Sequence, residues 1–276
     1  MEKTKVLFVS QEIAPYLPES QMSKIGRFLP QGIQEKGSEI RTFMPRYGCI
    51  NERRNQLHEV IRLSGMNLII NDMDHPLIIK VASIQSARMQ VYFIDNEDLF
   101  HRKHILCDNN DAYFKDNDER AIFFARGVLE TVKKLRWAPD IVHCHGWITS
   151  MVPMYIKRAF KEDPLFSNSR VIYSLYDDYF DTVFDKKFKG KVHVDGVTSE
   201  DVEEVKKVVD YVSTTKLALQ FSDGIIMASN NINANIKKHL ATIDIPILDY
   251  LDEESYVESY SDFYDKILTG SCVETV

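Results

Sequence analysis

The sequence predicts an α/β fold built on a doubly wound, mostly parallel sheet. Three observations carry this. Short apolar runs alternate with stretches of helical periodicity along most of the 276 residues. The composition, 44% hydrophobic and 27% charged, is that of a chain able to bury a large core. No internal repeat, low-complexity linker or paired-cysteine framework points to another class.

Lys5–Ser10 (KVLFVS) reads as a buried strand and Glu39–Met44 as a second. Leu77–Ile84 and Gln90–Asp95 are spaced to pair with each other. Asp118–Trp137 places Ile122, Leu129, Val132 and Leu135 at helical intervals, with Asp116, Asn117, Asp118 and Glu119 at its start, where free amides and the dipole favour them. Asp140–His145, Arg170–Leu175 and Gly224–Ser229 complete the strands. A second long helix is expected from Thr198, where Thr198 and Asp201 have capping-box spacing, to Phe221, with a break near Ser213–Thr215. After Pro246 the chain turns acidic and aromatic. Tyr256, Tyr260, Phe263 and Ile267 recur at four, three and four, the stripe of a helix docked on the body, within Leu248–Leu268. Gly270–Val276 reads as loose. The division is thus one domain over 1–246 and an acidic aromatic helix or tail over 247–276.

The net charge of −7 argues against a nucleic-acid partner, which needs a basic face. The apolar run in MEKTKVLFVS is too short for a signal peptide or a membrane anchor. Cys49, Cys107, Cys144 and Cys272 are scattered and read as free thiols, and the cytoplasm is the expected compartment.

Polar residues collect at the expected strand ends, where open α/β sheets bind ligands. In Val142–Trp147 (VHCHGW), alternation puts His143 and His145 on one face and Cys144 on the other. Two histidines are too few for a metal site and no third ligand is identifiable, so no metal and no cofactor is assigned. His143 reads as a hydrogen-bonded structural residue. His145 and Trp147 are the ligand candidates, since an indole face stacks on the apolar face of a sugar. Asp177, Asp178 and Asp181, with Asp185, read as a solvated acidic turn rather than a magnesium array. Asp95-Asn96 and Asp116-Asn117 sit at a strand end and a helix entrance, where capping accounts for them. There is no G-x-G-x-x-G, P-loop, G-x-S-x-G or H-E-x-x-H, and the loop Gln11–Gln21 holds no glycine that would let a phosphate approach the backbone.

Several segments together resemble the N-terminal domain of bacterial and plant glycogen (starch) synthases. They are Val6–Tyr47, Val91–Asn96 with Phe100 and Arg102, Asp116–Glu130 (DNDERAIFFARGVLE), Pro139–Trp147 (PDIVHCHGW) and Ser222–Ser229 (SDGIIMAS). The resemblance spans about residues 4–245 and implies a Rossmann-like N-terminal half of a GT-B glycosyltransferase. Such enzymes transfer glucose from ADP-glucose to an α-1,4-glucan with retention. By the same resemblance Asp95, Asp116, Asn117, His145 and Trp147 are candidate glucan contacts. Four spots depart from the family. Its Lys-x-Gly-Gly-Leu-x-Asp donor segment appears with Pro18 for the lysine, Ser20-Gln21 for the glycines, Met22 for the leucine and Lys24 for the aspartate. In its His-Asp-Trp-His run, Gly146 and Ile148 replace the aspartate and second histidine, and Tyr176-Asp177 stand for a later His-Asn. The second GT-B domain, which carries the family's catalytic residues, is expected to be absent.

The expectation is therefore a synthase-like chain that keeps a glucan-binding half and does not turn over alone. The alternative is a non-catalytic partner that binds protein, as a homodimer or with another synthase chain. A separate chain completing an active site fits poorly, because it restores none of the altered side chains here.

Overall fold

A computed structural model of the chain describes residues 3–252 and 256–270. Ten strands form one sheet: β1 Lys5–Ser10, β2 Glu39–Pro45, β3 His58–Glu59, β4 Met66–Ile70, β5 Met73–Ile84, β6 Met89–Asp95, β7 Ile141–His145, β8 Arg170–Leu175, β9 Gly224–Met227 and β10 Ile247–Leu248. Among the described residues eight α-helices accompany them: α1 Gln21–Glu35, α2 Glu97–Phe100, α3 Asn117–Leu135, α4 Val152–Lys157, α5 Phe188–Val192, α6 Tyr211–Gln220, α7 Ala234–Leu240 and α8 Tyr256–Thr269. The strand order is β10-β9-β8-β7-β1-β2-β6-β5-β3, with β4 pairing β5. Pairs from β10 to β6 are parallel, and only those of β5 with β6, β4 and β3 are antiparallel. The expected mostly parallel α/β fold is what the chain adopts.

Central strands are buried on both sides, which is why they read as continuous apolar runs. Leu7, Val9, Val142, Cys144, Val171 and Tyr173 face one layer with Ile122, Phe123 and Val128 of α3 and Leu217 of α6. Val6, Phe8, Ile141, Ile172 and Ile226 face the other. There Met22, Ile25, Leu29 and Ile33 of α1 lie beside Tyr260, Phe263, Tyr264 and Ile267 of α8. The stripe seen in the tail sequence is thus its buried face.

Some elements differ from expectation. Thr198–Phe221 is not one helix: Asp201 accepts from the amide and hydroxyl of Thr198 at 2.8 and 2.9 Å and closes a turn instead. The helix starts at Tyr211, capped by Asp210 and Ser213, and runs unbroken through 213–215. Within the expected acidic aromatic segment the tail helix is described over Tyr256–Thr269, and Ile247–Leu248 pair with β9 as an edge strand. α1 lies outside the expected elements; Gly26 lets it cross the preceding loop, because a Cβ there would collide with the Glu12 carbonyl oxygen. Cys49, Cys107 and Cys144 are free; Cys272 lies outside the described residues, as does nearly all of Gly270–Val276.

Candidate functional site

The carboxyl ends of β1, β7 and β8 converge on one edge of the sheet, and side chains of opposite character meet there. His143 and His145 leave β7 on the same face, ring centroids 3.8 Å apart, both fully buried. Nδ1 of His143 is 2.6 Å from the Tyr264 hydroxyl and Nε2 is 2.7 Å from Ser174 Oγ, the hydrogen-bonded structural role expected of it. His145 Nδ1 lies 2.8 Å from the Tyr176 hydroxyl. Burial pushes His143 well below the usual imidazole range, with His145 adding to the effect, and takes His145 down to about 3. Both rings are neutral at pH 7 and sealed from solvent.

Trp147 follows Gly146 and turns its indole into the interior, where 1% of it is exposed. Its ring stacks on Phe184 at 5.4 Å and meets Phe180 edge-on at 4.7 Å, and its N–H donates to Thr214 Oγ1 at 2.8 Å. Asp178, expected in a solvated turn, is instead a half-buried anchor. It accepts from the Trp147 amide at 2.7 Å and from the Tyr211 hydroxyl at 2.8 Å. Burial pushes its carboxyl up to about 6, against the pull of those donors.

Outside this aromatic layer lies a cleft of about 1040 Å³, lined in part by Tyr113, Asp116, Tyr179, Phe180, Asp181 and Phe184. Tyr113 and Phe180 stack at 4.2 Å. Tyr179 is half exposed and its hydroxyl donates to Asp181. Burial acts to raise the Asp116 carboxyl, but the two-pronged pair with Arg102 outweighs it and holds it below the usual range.

Of the five candidate glucan contacts, Asp116 alone lines this cleft. Trp147 supports its aromatic wall from behind. Asp95 is buried in an ion pair with Lys80 at 2.8 Å, with His101 Nε2 3.0 Å from its other oxygen. Asn117 is buried too, donating to the Leu106 carbonyl at 2.7 Å and accepting from Arg120 at 2.5 Å. Sequence reasoning missed Tyr113, Tyr179, Phe180 and Phe184. The signal was in Tyr176–Asp185, where rings alternate with the acids that drew attention.

Of the positions expected to be degenerate donor residues, Pro18, Ser20, Gln21 and Lys24 lie at the start of α1, and Ile148 and Tyr176 lie beside the ends of β7 and β8. Ser20 caps α1, accepting from the Ser23 amide at 3.0 Å and donating to Glu12 at 2.6 Å. Gln21 and Lys24 border an apolar pocket of about 310 Å³ closed by Leu251, Tyr256 and Tyr260. Pro18 is exposed. Ile148 is buried, its amide donating to Gln11 at 3.1 Å, and Tyr176 bonds His145 as described. Among the described residues no group of three or more potential ligands could hold a metal ion, and no helix is long and apolar enough to cross a membrane.

An open, mostly parallel sheet with its cleft at the strand ends is the architecture of a GT-B glycosyltransferase catalytic domain. The fold superposes with a TM-score of 0.74 on the catalytic domain of starch synthase IV from Arabidopsis thaliana bound to ADP and acarbose, at 17% identity, covering 91% of this chain and 52% of that one. The chain belongs to the starch synthase catalytic domain family, which it matches over residues 5–243. Glycogen synthase from Chlorobium limicola is 38% identical over 176 residues, 63% of this chain and 36% of that protein. Glycogen synthase from Chlorobium phaeobacteroides is 33% identical over 231 residues, 80% of this chain and 47% of that protein. The chain thus spans less than half the length of these relatives.

Proposed function

We propose that this chain binds α-1,4-glucan in the aromatic and acidic cleft and does not itself transfer glucose from a nucleotide sugar. The observation that carries the second half is the state of the α1 entrance. Where the family resemblance calls for a lysine and two glycines, Pro18, Ser20 and Gln21 supply neither a cation nor close backbone approach. The Ser23 amide, a free donor at the start of α1, is already taken by Ser20. Transfer also requires donor and acceptor held together, a large share of any rate enhancement. The first half rests on the cleft. Rings of Tyr113, Tyr179 and Phe180 offer flat apolar faces, and Asp116 and Asp181 offer acceptors for sugar hydroxyls.

The test is native affinity electrophoresis in gels with and without glycogen, beside a turnover assay with ADP-glucose. Glycogen-dependent retardation is expected, lost in Tyr179→Ala and weakened in Asp116→Asn, with no turnover above the blank. Measurable glucose transfer would sink the non-catalytic half. A second reading, a protein-binding partner in glycogen metabolism, is favoured by the exposure of Tyr179 (49%), Val183 (63%) and Val208 (44%). Absence of retardation selects it.

A further inference from the structure

Arg120, near the start of α3, is fully buried. Its Nη1 donates to Asn117, while Nε and Nη2 meet no acceptor among the described residues. Rings of Phe100, Phe114 and Tyr47 stand 5.1, 5.5 and 5.7 Å from its guanidinium carbon and supply π faces but no carboxylate. Among the charges that act most on Arg120 the one carboxylate is Asp116, and Arg102 already holds both of its oxygens. Two guanidinium groups therefore share one carboxylate, which leaves one positive charge over. The hydroxyls of Tyr47 and Tyr113 are likewise buried without hydrogen-bond partners among the described residues; the Arg120 charge acts on both, opposed by the Asp178 carboxylate at Tyr113 and by Glu12 at Tyr47. Two N–H groups of Arg120 and two O–H groups thus lack an acceptor. Buried donors and buried charges are costly unless something accepts from them, and a neutral molecule would leave the charge unanswered.

We propose that Arg120, Tyr47 and Tyr113 form a binding site for a small monovalent anion of the size of chloride. Full enclosure of Arg120 and Tyr47 excludes a nucleotide or sugar phosphate. Tyr113 also lines the cleft, so an anion bonded to its hydroxyl fixes a ring of the cleft wall. The site is independent of whether glucan binds.

The test is the urea midpoint of the whole chain at constant ionic strength, with chloride replacing gluconate, which is too large to enter. Chloride is expected to raise the midpoint saturably. Tyr47→Phe and Tyr113→Phe keep the rings and remove one donor each, and each is expected to raise the half-saturating chloride concentration about tenfold. Equal midpoints in chloride and gluconate would overturn the proposal, as would a chloride response unchanged in both variants. Phosphate acting at lower concentration than chloride would overturn the choice of a monovalent ion. A bromide-soaked crystal gives a readout that needs no variant: an anomalous peak beside Nε and Nη2 of Arg120 is expected, and its absence there counts against the site.

Discussion

Gly146 has φ 85° and ψ 161°, a backbone region held essentially by glycine, and a Cβ added there would lie 2.7 Å from Met22 Sδ. Gln11 Cβ would lie 2.8 Å away as well, so a side chain at 146 meets Met22 and Gln11 together. Gly146→Asp is expected to cost about 2–4 kcal/mol of stability in urea unfolding, only partly recovered by Met22→Ala, which leaves the Gln11 contact and the backbone strain. Asp178 sets a different dependence. Its carboxyl titrates near 6 when folded against an ordinary value of 3.8, so between those values the folded chain holds a proton the unfolded chain has released. Its contribution to stability therefore falls as pH rises through that window. His145 lies near 3 against an ordinary 6.5, and His143 is also far below it, so unfolded imidazoles take up protons first and stability falls as pH drops below about 6.5. Two imidazoles outweigh one carboxyl, and the chain is expected to lose stability from pH 7 to pH 5. Asp178→Asn keeps an acceptor for the Trp147 amide. It is expected to gain about 1–2 kcal/mol at pH 7 and to show a steeper acid loss, read from urea midpoints across pH.

Among the elements, α8 carries the most consequence for its length. Phe263 and Ile267 sit where Gly224 of β9 leaves room, a Cβ there lying within about 3 Å of both side chains. Phe263→Ala is expected to cost about 3–5 kcal/mol. Tyr264→Phe, which leaves one His143 nitrogen unpaired, is expected to cost about 1–2 kcal/mol by the same measurement. Ser20→Ala removes the α1 cap and is expected to cost about 1 kcal/mol. The central strands and α3 were legible because burial on both faces, or along one helical stripe, leaves a local pattern in the residues themselves. The α8 stripe was legible for the same reason. Thr198–Phe221 was not, since Val202, Val205 and Val209 continue the helical spacing of Val212 in α6 while lying in a short 3-10 turn and irregular chain that packs against α6. There, Asp210 with Ser213 was the true capping signal, and Thr198 with Asp201 the decoy.

For the whole molecule, the sequence located the edge of the sheet beside which the candidate cleft opens, but not the surface of that cleft. The order of motifs brought His145, Trp147 and Asp116 to one end of the sheet, where they are. That Trp147 is roofed by Phe180 and Phe184 depends on how 177–185 folds back, and no local periodicity encodes that. Glycogen retardation lost in Tyr179→Ala and retained in Phe28→Ala, an exposed ring beside α1, would separate the cleft from the apolar pocket near it. The placement of α8 reaches further. It shields Val6, Phe8, Ile141, Ile172 and Ile226, residues drawn from strands synthesised long before it. About forty residues separate the end of β9 from Ile267, so at roughly 5–20 residues per second a nascent sheet waits some seconds with α1 as the helix on that side and the place of α8 still open. Closure of this side is consequently late relative to the sheet, and chaperone capture during translation falls on the stretch that α8 will cover.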